Sequence, residues 1–174
     1  MSIMELGALG EFLGSIGVIV TLIYLAIQIR QNTSSARSQS RQTLIDGWSI
    51  GQAELANDPE LLRIYADAIM RWSDLPDVEK TRFDVGMGRF LANLQNGILL
   101  RDAGMLDQAT LDTTANFMLS CILCEGGAKW WKETGFAWPE TRLYLEERLS
   151  HARDLPPPAE QLASIWMAMA GDRR

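Results

Sequence analysis

Cys121-Ile-Leu-Cys124 and the single histidine, His151, are the residues of this sequence whose types could ligate a soft metal or carry redox chemistry. On a helix, positions three apart share a face, so two thiolates could meet one ion. A structural zinc site takes four ligands, and one chain adds only His151, so four thiolates would need two copies. Thioredoxin-like chemistry requires a strand before the motif and a helix opening at it. The residues around Cys121 show neither. Cysteine packs well as a small hydrophobe, so both are expected in a core. His151 follows Glu147 by four residues, but the Glu-x-x-His pairs of di-iron bundles do not occur, and it reads as a surface histidine near a helix end. No glycine-rich phosphate loop, G-x-S-x-G elbow or metalloprotease signature is present. Trp130, Trp131 and Trp138 are expected to plug the end of a bundle, the sharper alternative being a ligand shelf or interfacial anchor. The residues therefore assign no catalytic group, cofactor or metal, and the chain is expected to be non-enzymatic.

Composition narrows the class further. The 174 residues are 47% hydrophobic, which excludes a fully disordered chain, and their net charge of −6 argues against a nucleic-acid partner. From Phe12 to Ile29 there are 18 consecutive uncharged residues, FLGSIGVIVTLIYLAIQI, between Glu11 and Arg30. A helix of that length spans about 27 Å, close to the hydrocarbon thickness of a bilayer, and Leu6 to Gly10 can extend it. The opening MSIMELGALGE has two acids and no Lys or Arg, unlike a cleaved signal peptide, so the segment is expected to be retained. Arg30, Arg37 and Arg41 follow it and predict an N-terminus outside, with the main domain in the cytoplasm.

Within that segment Gly7, Gly10, Gly14, Gly17, Thr21, Tyr24, Gln28 and Gln31 recur at alternating steps of three and four. Leu9, Leu13, Ile16, Val20, Ile23 and Ile27 follow the same rhythm on the opposite face. Lipid offers little hydrophobic drive between helices, so association depends on close backbone approach at small residues and on polar groups bonding across the contact. The small and polar stripe is thus expected to be a packing face for a second copy or another membrane protein. Its 3.5-residue period favours a left-handed crossing, and Gly10 with Gly14 forms a GxxxG pair. Glu11 would either reach the lipid interface or form a carboxylate ring at the mouth of a homo-oligomeric pore.

Residues 30 to 42, RQNTSSARSQSRQ, are nearly devoid of apolar side chains and predict a solvated stalk helix or linker over 30–57, with Leu44, Trp48 and Leu55 resuming an apolar face. A bundle over 58–153 follows. Asn57-Asp58-Pro59-Glu60 and Leu75-Pro76-Asp77-Val78-Glu79 are helix starts. The first helix should bury Leu61, Leu62, Tyr65, Ile69 and Trp72. The second should bury Phe83, Met87, Phe90, Leu91, Leu94 and Ile98 and stop near Gly104, leaving Arg82, Arg89 and Asn93 largely off that face. Asp107 is a cap for a helix carrying Leu111, Ala115, Met118, Leu119 and Ile122 inward, whose uncharged run 113–124 suits a central core helix. Gly126-Gly127 should break the chain. Trp138-Pro139-Glu140 opens a last bundle helix, partly burying Leu143, Leu145 and Leu149. Beyond a proline spacer in 154–174, Leu162, Ile165, Trp166 and Met169 form one face of a tail that folds on its own bundle, docks on another copy or lies at the membrane surface. No alternating strand pattern occurs, so an all-α fold is predicted.

The stretches GVIVTLIYLAIQIRQNT, DLPDVEKTRF, LRDAGML and GGAKWW resemble a widespread group of small bacterial membrane proteins. The resemblance covers about residues 7 to 150. It implies one N-terminal span in a bacterial inner membrane and a cytosolic helical domain, and it brings no established activity, cofactor or catalytic residue. Two functions are expected from the residues: a membrane-anchored scaffold or accessory subunit, or a pore lined by the small and polar stripe.

Overall fold

A computed structural model describes residues 3–134, 137–151 and 156–171, apart from the side chains of residues 5, 6, 9, 169 and 170. The expected contributions of Leu6, Leu9 and Met169, and the start of the proline spacer at 154–155, lie outside the described residues. The fold is all-α, with no strand among the described residues. Its helices are α1 (Ile3–Asn57), α2 (Pro59–Arg71), α3 (Asp77–Asp102), α4 (Gln108–Ile122), α5 (Glu125–Glu133), α6 (Pro139–Ser150) and α7 (Glu160–Gly171). The chain divides into two units, residues 1–39 and 40–174.

The described residues of the first unit are helix alone. Its glycines would each cost a water-exposed helix about 1 kcal/mol relative to alanine, whereas in hydrocarbon every backbone group must be bonded internally and the helix is enforced. Ser15, Thr21 and Thr33 donate their hydroxyls back to the carbonyls of Phe12, Gly17 and Ile29 at 2.8, 2.8 and 2.9 Å. Residues 30–39 are helical as well, as their lack of Gly and Pro allows.

The second unit begins inside α1, well before the bundle boundary expected at residue 58. Leu44 and Leu55 are buried, and Gly47 and Gly51 let α3 approach. A Cβ on Gly47 would lie 2.6 Å from Asn93 Oδ1, and one on Gly51 2.7 Å from the Phe90 ring. Asn93 Nδ2 donates to the Leu44 carbonyl at 3.2 Å. These turns of α1 are therefore part of the bundle.

The predicted caps form. Asp58 accepts from the backbone N–H of Glu60 and Leu61 at 3.0 Å, with Pro59 at the first helical position. Gly104, at φ +71°, ends α3, and the Met105 N–H reaches the Leu100 carbonyl at 2.8 Å, closing the last turn. All six α3 residues expected inside are buried, as are the five of α4.

Asp107 caps α4 by accepting from the Thr110 N–H at 2.8 Å and the Thr110 hydroxyl at 2.9 Å, and Arg41 donates to it at 2.7 Å. The Thr110 bonds first, and Arg41 second, lower its pKa from 3.8 to about 2. The folded value lies below the ordinary one. The stability it contributes is therefore present above pH 3.8 and lost as pH falls towards about 2. In urea titrations, the gap between the wild type and Asp107→Ala should be constant near neutrality and close across that window. A gap unchanged down to pH 2 would contradict the cap.

The central helix is α2, not the apolar α4. Every residue from Ile64 to Ile69 is buried, with α3, α5 and α7 packed around them. The sequence hides this because Asp67 lies in the enclosed stretch. Its charge is held by Arg63 at 2.9 Å and Arg71 at 2.6 Å, and Arg63 also reaches Glu79 at 2.6 Å. A buried carboxylate with two guanidinium partners is tolerable, whereas an unpaired one is not. By contrast, α4 shows solvent one side, with Thr113 exposed.

Three local expectations are corrected. Gly126 and Gly127 do not interrupt a helix but lie in the first turn of α5, because α5 sits directly on α2 and on the end of α4. A Cβ on Gly126 would come 2.2 Å from the Ala68 carbonyl oxygen, and one on Gly127 1.8 Å from that of Cys121. Leu143 of α6 is exposed, and the buried side is Thr141, Tyr144 and Leu145. Hydrogen bonds orient this helix: Thr141 donates to Gln95 Oε1 and Tyr144 to Asp112 Oδ1, both at 2.6 Å. Helix α7 does fold on its own bundle, but through Ala159, Ala163 and Trp166, leaving Leu162 and Ile165 exposed. Small residues permit its close approach to α2, and the Ala159 N–H donates to the Ser120 carbonyl at 3.0 Å.

Candidate functional site

Two surfaces have the geometry of a site, one in each unit. The first is the glycine stripe of α1. Gly7, Gly10, Gly14 and Gly17 are exposed, and a Cβ placed on any of them meets nothing within 4 Å. Thr21 and Tyr24 continue the stripe and are exposed, while Gln28 is half-buried. Glu11 is exposed. One helix of the described residues is long and apolar enough to cross a membrane, and none of its apolar window is buried against protein. Four glycines with open space above them form a shallow channel along one side of the helix. A second helix backbone can lie in it. Thr21 spends its hydroxyl proton on Gly17, so its hydroxyl serves as an acceptor on this face.

Of the three arginines read as topology signals, Arg30 and Arg37 are exposed. Arg41 is committed to Asp107 and so also ties α1 to the start of α4 within the second unit.

The residues singled out for chemistry lie elsewhere. Cys121 and Cys124 are buried in the core as free thiols. Burial pushes the Cys121 thiol far up, away from reactive thiolate. Cys124 Sγ contacts the Ser120 carbonyl at 3.5 Å. His151 is exposed at the end of α6, its Nδ1 2.8 Å from the Glu147 carbonyl oxygen. Trp130 and Trp131 fill the core next to one another, with Trp130 Nε1 donating to Asp84 at 2.5 Å. Arg142 lies over the Trp131 ring, 4.4 Å from its centroid. Trp138 is partly exposed.

The second surface was not anticipated. A cavity of about 330 Å³ opens between the end of α1, α2 and α3. Leu55, Leu61, Val85 and Phe90 give it apolar walls; Glu54, Arg82 and Arg89 bring charge to it. Arg89 pairs with Glu54, while Arg82 is held by Glu60 at 2.8 Å and Asp58 at 3.5 Å. Tyr65 lies between. Its side chain is 2% exposed, its ring stands edge-on to Phe83, and its hydroxyl occupies the space a side chain on Gly86 would need, 1.8 Å from that Cβ position. Burial raises the Tyr65 phenol well above its usual range, so it is a proton donor at neutral pH. One signal in the sequence pointed here: Arg82 and Arg89 are seven apart, two helical turns along one side of α3, off the core-facing side. Neither a known family model, nor a curated protein, nor a solved structure matches this chain, so its own residues carry the functional reading.

Proposed function

We propose that this protein is a single-pass membrane protein that associates with a second copy of itself, or with another membrane protein, through the glycine face of α1. Its helical domain acts in the cytoplasm as a scaffold or accessory subunit. The observation that carries this reading is the stripe Gly7, Gly10, Gly14 and Gly17, open along its whole length on an apolar helix that buries none of its window. A core helix in a soluble protein would be covered. Here fourteen large hydrophobic side chains from Ile3 to Ile29 are exposed among the described residues, and the hydrophobic effect demands either lipid or protein over them. Arg30 and Arg37 beyond the apolar stretch support the cytoplasmic placement of the domain. Packing is favoured over conduction because glycine backbones allow a tight contact and supply few polar groups to replace an ion's water.

Carbonate washing of membranes tests the anchor: the protein is expected in the pellet, and release into the supernatant would overturn the reading. Purified protein in liposomes is expected to show no salt-dependent conductance, and Glu11→Gln to change nothing. A conductance altered by that substitution would favour a pore.

A further inference from the structure

Helix α7 closes over α2 with few attachments. From Glu160 to Ala168 only Ala163 and Trp166 are buried, and Pro157 and Pro158 ahead of the helix are exposed. Trp166 is the anchor, its ring 6.4 Å from that of Tyr65 and 6.3 Å from that of Phe117, centroid to centroid. Among the described residues the side chains of α7 make no hydrogen bond or ion pair to another helix; Ser164 only bonds back to the Glu160 carbonyl at 3.1 Å. Elements with few buried contacts open at a lower free energy than the core beneath them.

Beneath the start of this helix lies Cys124. The Ser120 carbonyl accepts from the Ala159 N–H at 3.0 Å and from Cys124 Sγ at 3.5 Å, so the residue that leads into α7 and the thiol meet at one oxygen. Cys124 is 0% exposed. Burial pushes its thiol up, and the Ala159 N–H partly offsets this. Cys124 is also the N-cap of α5. At the positive end of a helix a hydrated thiol ionises more readily than in free solution. Cover and position therefore act in opposite directions on the same sulfur.

We propose that α7 is a strap that opens while the rest of the bundle stays folded, and that its closure keeps Cys124 out of reach of soft electrophiles. The bundle then holds a guarded thiol, protonated and enclosed in the closed state, hydrated and reactive in the open one. Trp166 is the latch, because it is the one large side chain that α7 buries among its described residues. The gate lies wholly in the second unit and is independent of how the membrane helix associates.

Timed alkylation of the full-length protein in lipid nanodiscs tests this, with N-ethylmaleimide as the probe and the labelled cysteine mapped by mass spectrometry. The Cys124 rate is followed through low urea and set beside the urea unfolding of the bundle read by tryptophan fluorescence. Strap opening exposes little surface, so the Cys124 rate is expected to rise with urea far less steeply than the unfolding equilibrium does. Trp166→Ala should speed Cys124 labelling about a hundredfold by removing the latch, whereas Ser164→Ala, at an exposed position of the same helix, should leave it unchanged. A wild-type labelling rate that follows urea as steeply as unfolding would mean that Cys124 is reached only when the whole bundle opens. That result, or a Trp166→Ala rate equal to that of the wild type, would overturn the proposal.

Discussion

Gly10→Leu combined with Gly14→Leu is expected to convert the detergent-extracted protein from an assembly to single chains, or to strip it of its membrane partner. Neither leucine disturbs the helix that carries it, since beyond the adjoining turns of its own backbone no atom lies within 4 Å of either Cβ position. Leucine is also the better helix former. The loss would therefore come from contact between helices. A leucine on the stripe holds two backbones apart, and association in lipid has no hydrophobic term to replace the packing that is lost. Each 1.4 kcal/mol of packing removed weakens association about tenfold, and two leucines one turn apart block the same stretch of seam. Native mass measurement after gentle extraction reads the result directly. Val20→Leu, on the opposite apolar face, should leave the mass unchanged. If the double glycine variant and the Val20 variant both keep the wild-type mass, the seam is not where this protein associates.

The second large effect lies in the bundle. Gly126→Val should destabilise the helical domain by about 3 kcal/mol or more, at or beyond the upper end of ordinary overpacking, because the new side chain meets backbone rather than a yielding side chain. Its Cβ would fall 2.2 Å from the Ala68 carbonyl oxygen and 2.7 Å from the Arg71 nitrogen. Helix α5 would have to lift away from α2, exposing Trp130 and Trp131 and straining the bonds from Trp130 to Asp84 and from Trp72 to Glu133, both 2.5 Å long. Urea unfolding followed by tryptophan fluorescence measures this. Gly171→Ala, where a Cβ meets nothing within 4 Å, is the matched control and should leave the midpoint unmoved. A Gly126→Val protein with the wild-type midpoint would mean that the α2 and α5 backbones do not touch.

These two predictions contrast the uses of glycine, and the sequence distinguishes them poorly. Gly7, Gly10, Gly14 and Gly17 announce themselves by period, in a segment where no other feature competes. Gly126 and Gly127 read as a chain break, since adjacent glycines ahead of tryptophans usually mark a turn. Only the placement of α5 against α2 shows that they are there for closeness. The α7 face differs for a related reason: Trp166 is buried as its bulk predicts, but the rest of the inward side is Ala159 and Ala163, which are buried because they are small.

The candidate sites divide in the same way. The stripe on α1 was legible because all its members belong to one helix, and a helix's period is a local property. The cavity around Tyr65 was not, because its walls come from three different helices, with lining residues spread from Gly51 to Phe90. Tyr65 in sequence is one more apolar position on an amphipathic helix. Nothing local says that Gly86 will leave room for its hydroxyl.

What the residues determine unaided is therefore the all-helical class, the long apolar N-terminal helix, the caps at Asp58 and Asp107, the stop at Gly104 and the inward faces of α3 and α4. Each follows from interactions within about one turn of backbone, or from a repeat that one helix can display. Which helix lies at the centre, which face of α6 and α7 turns inward, and where a cavity is left were decided by tertiary packing. Those outcomes depend on how side chains from distant segments fit together, and on buried charge such as Asp67 finding its arginines.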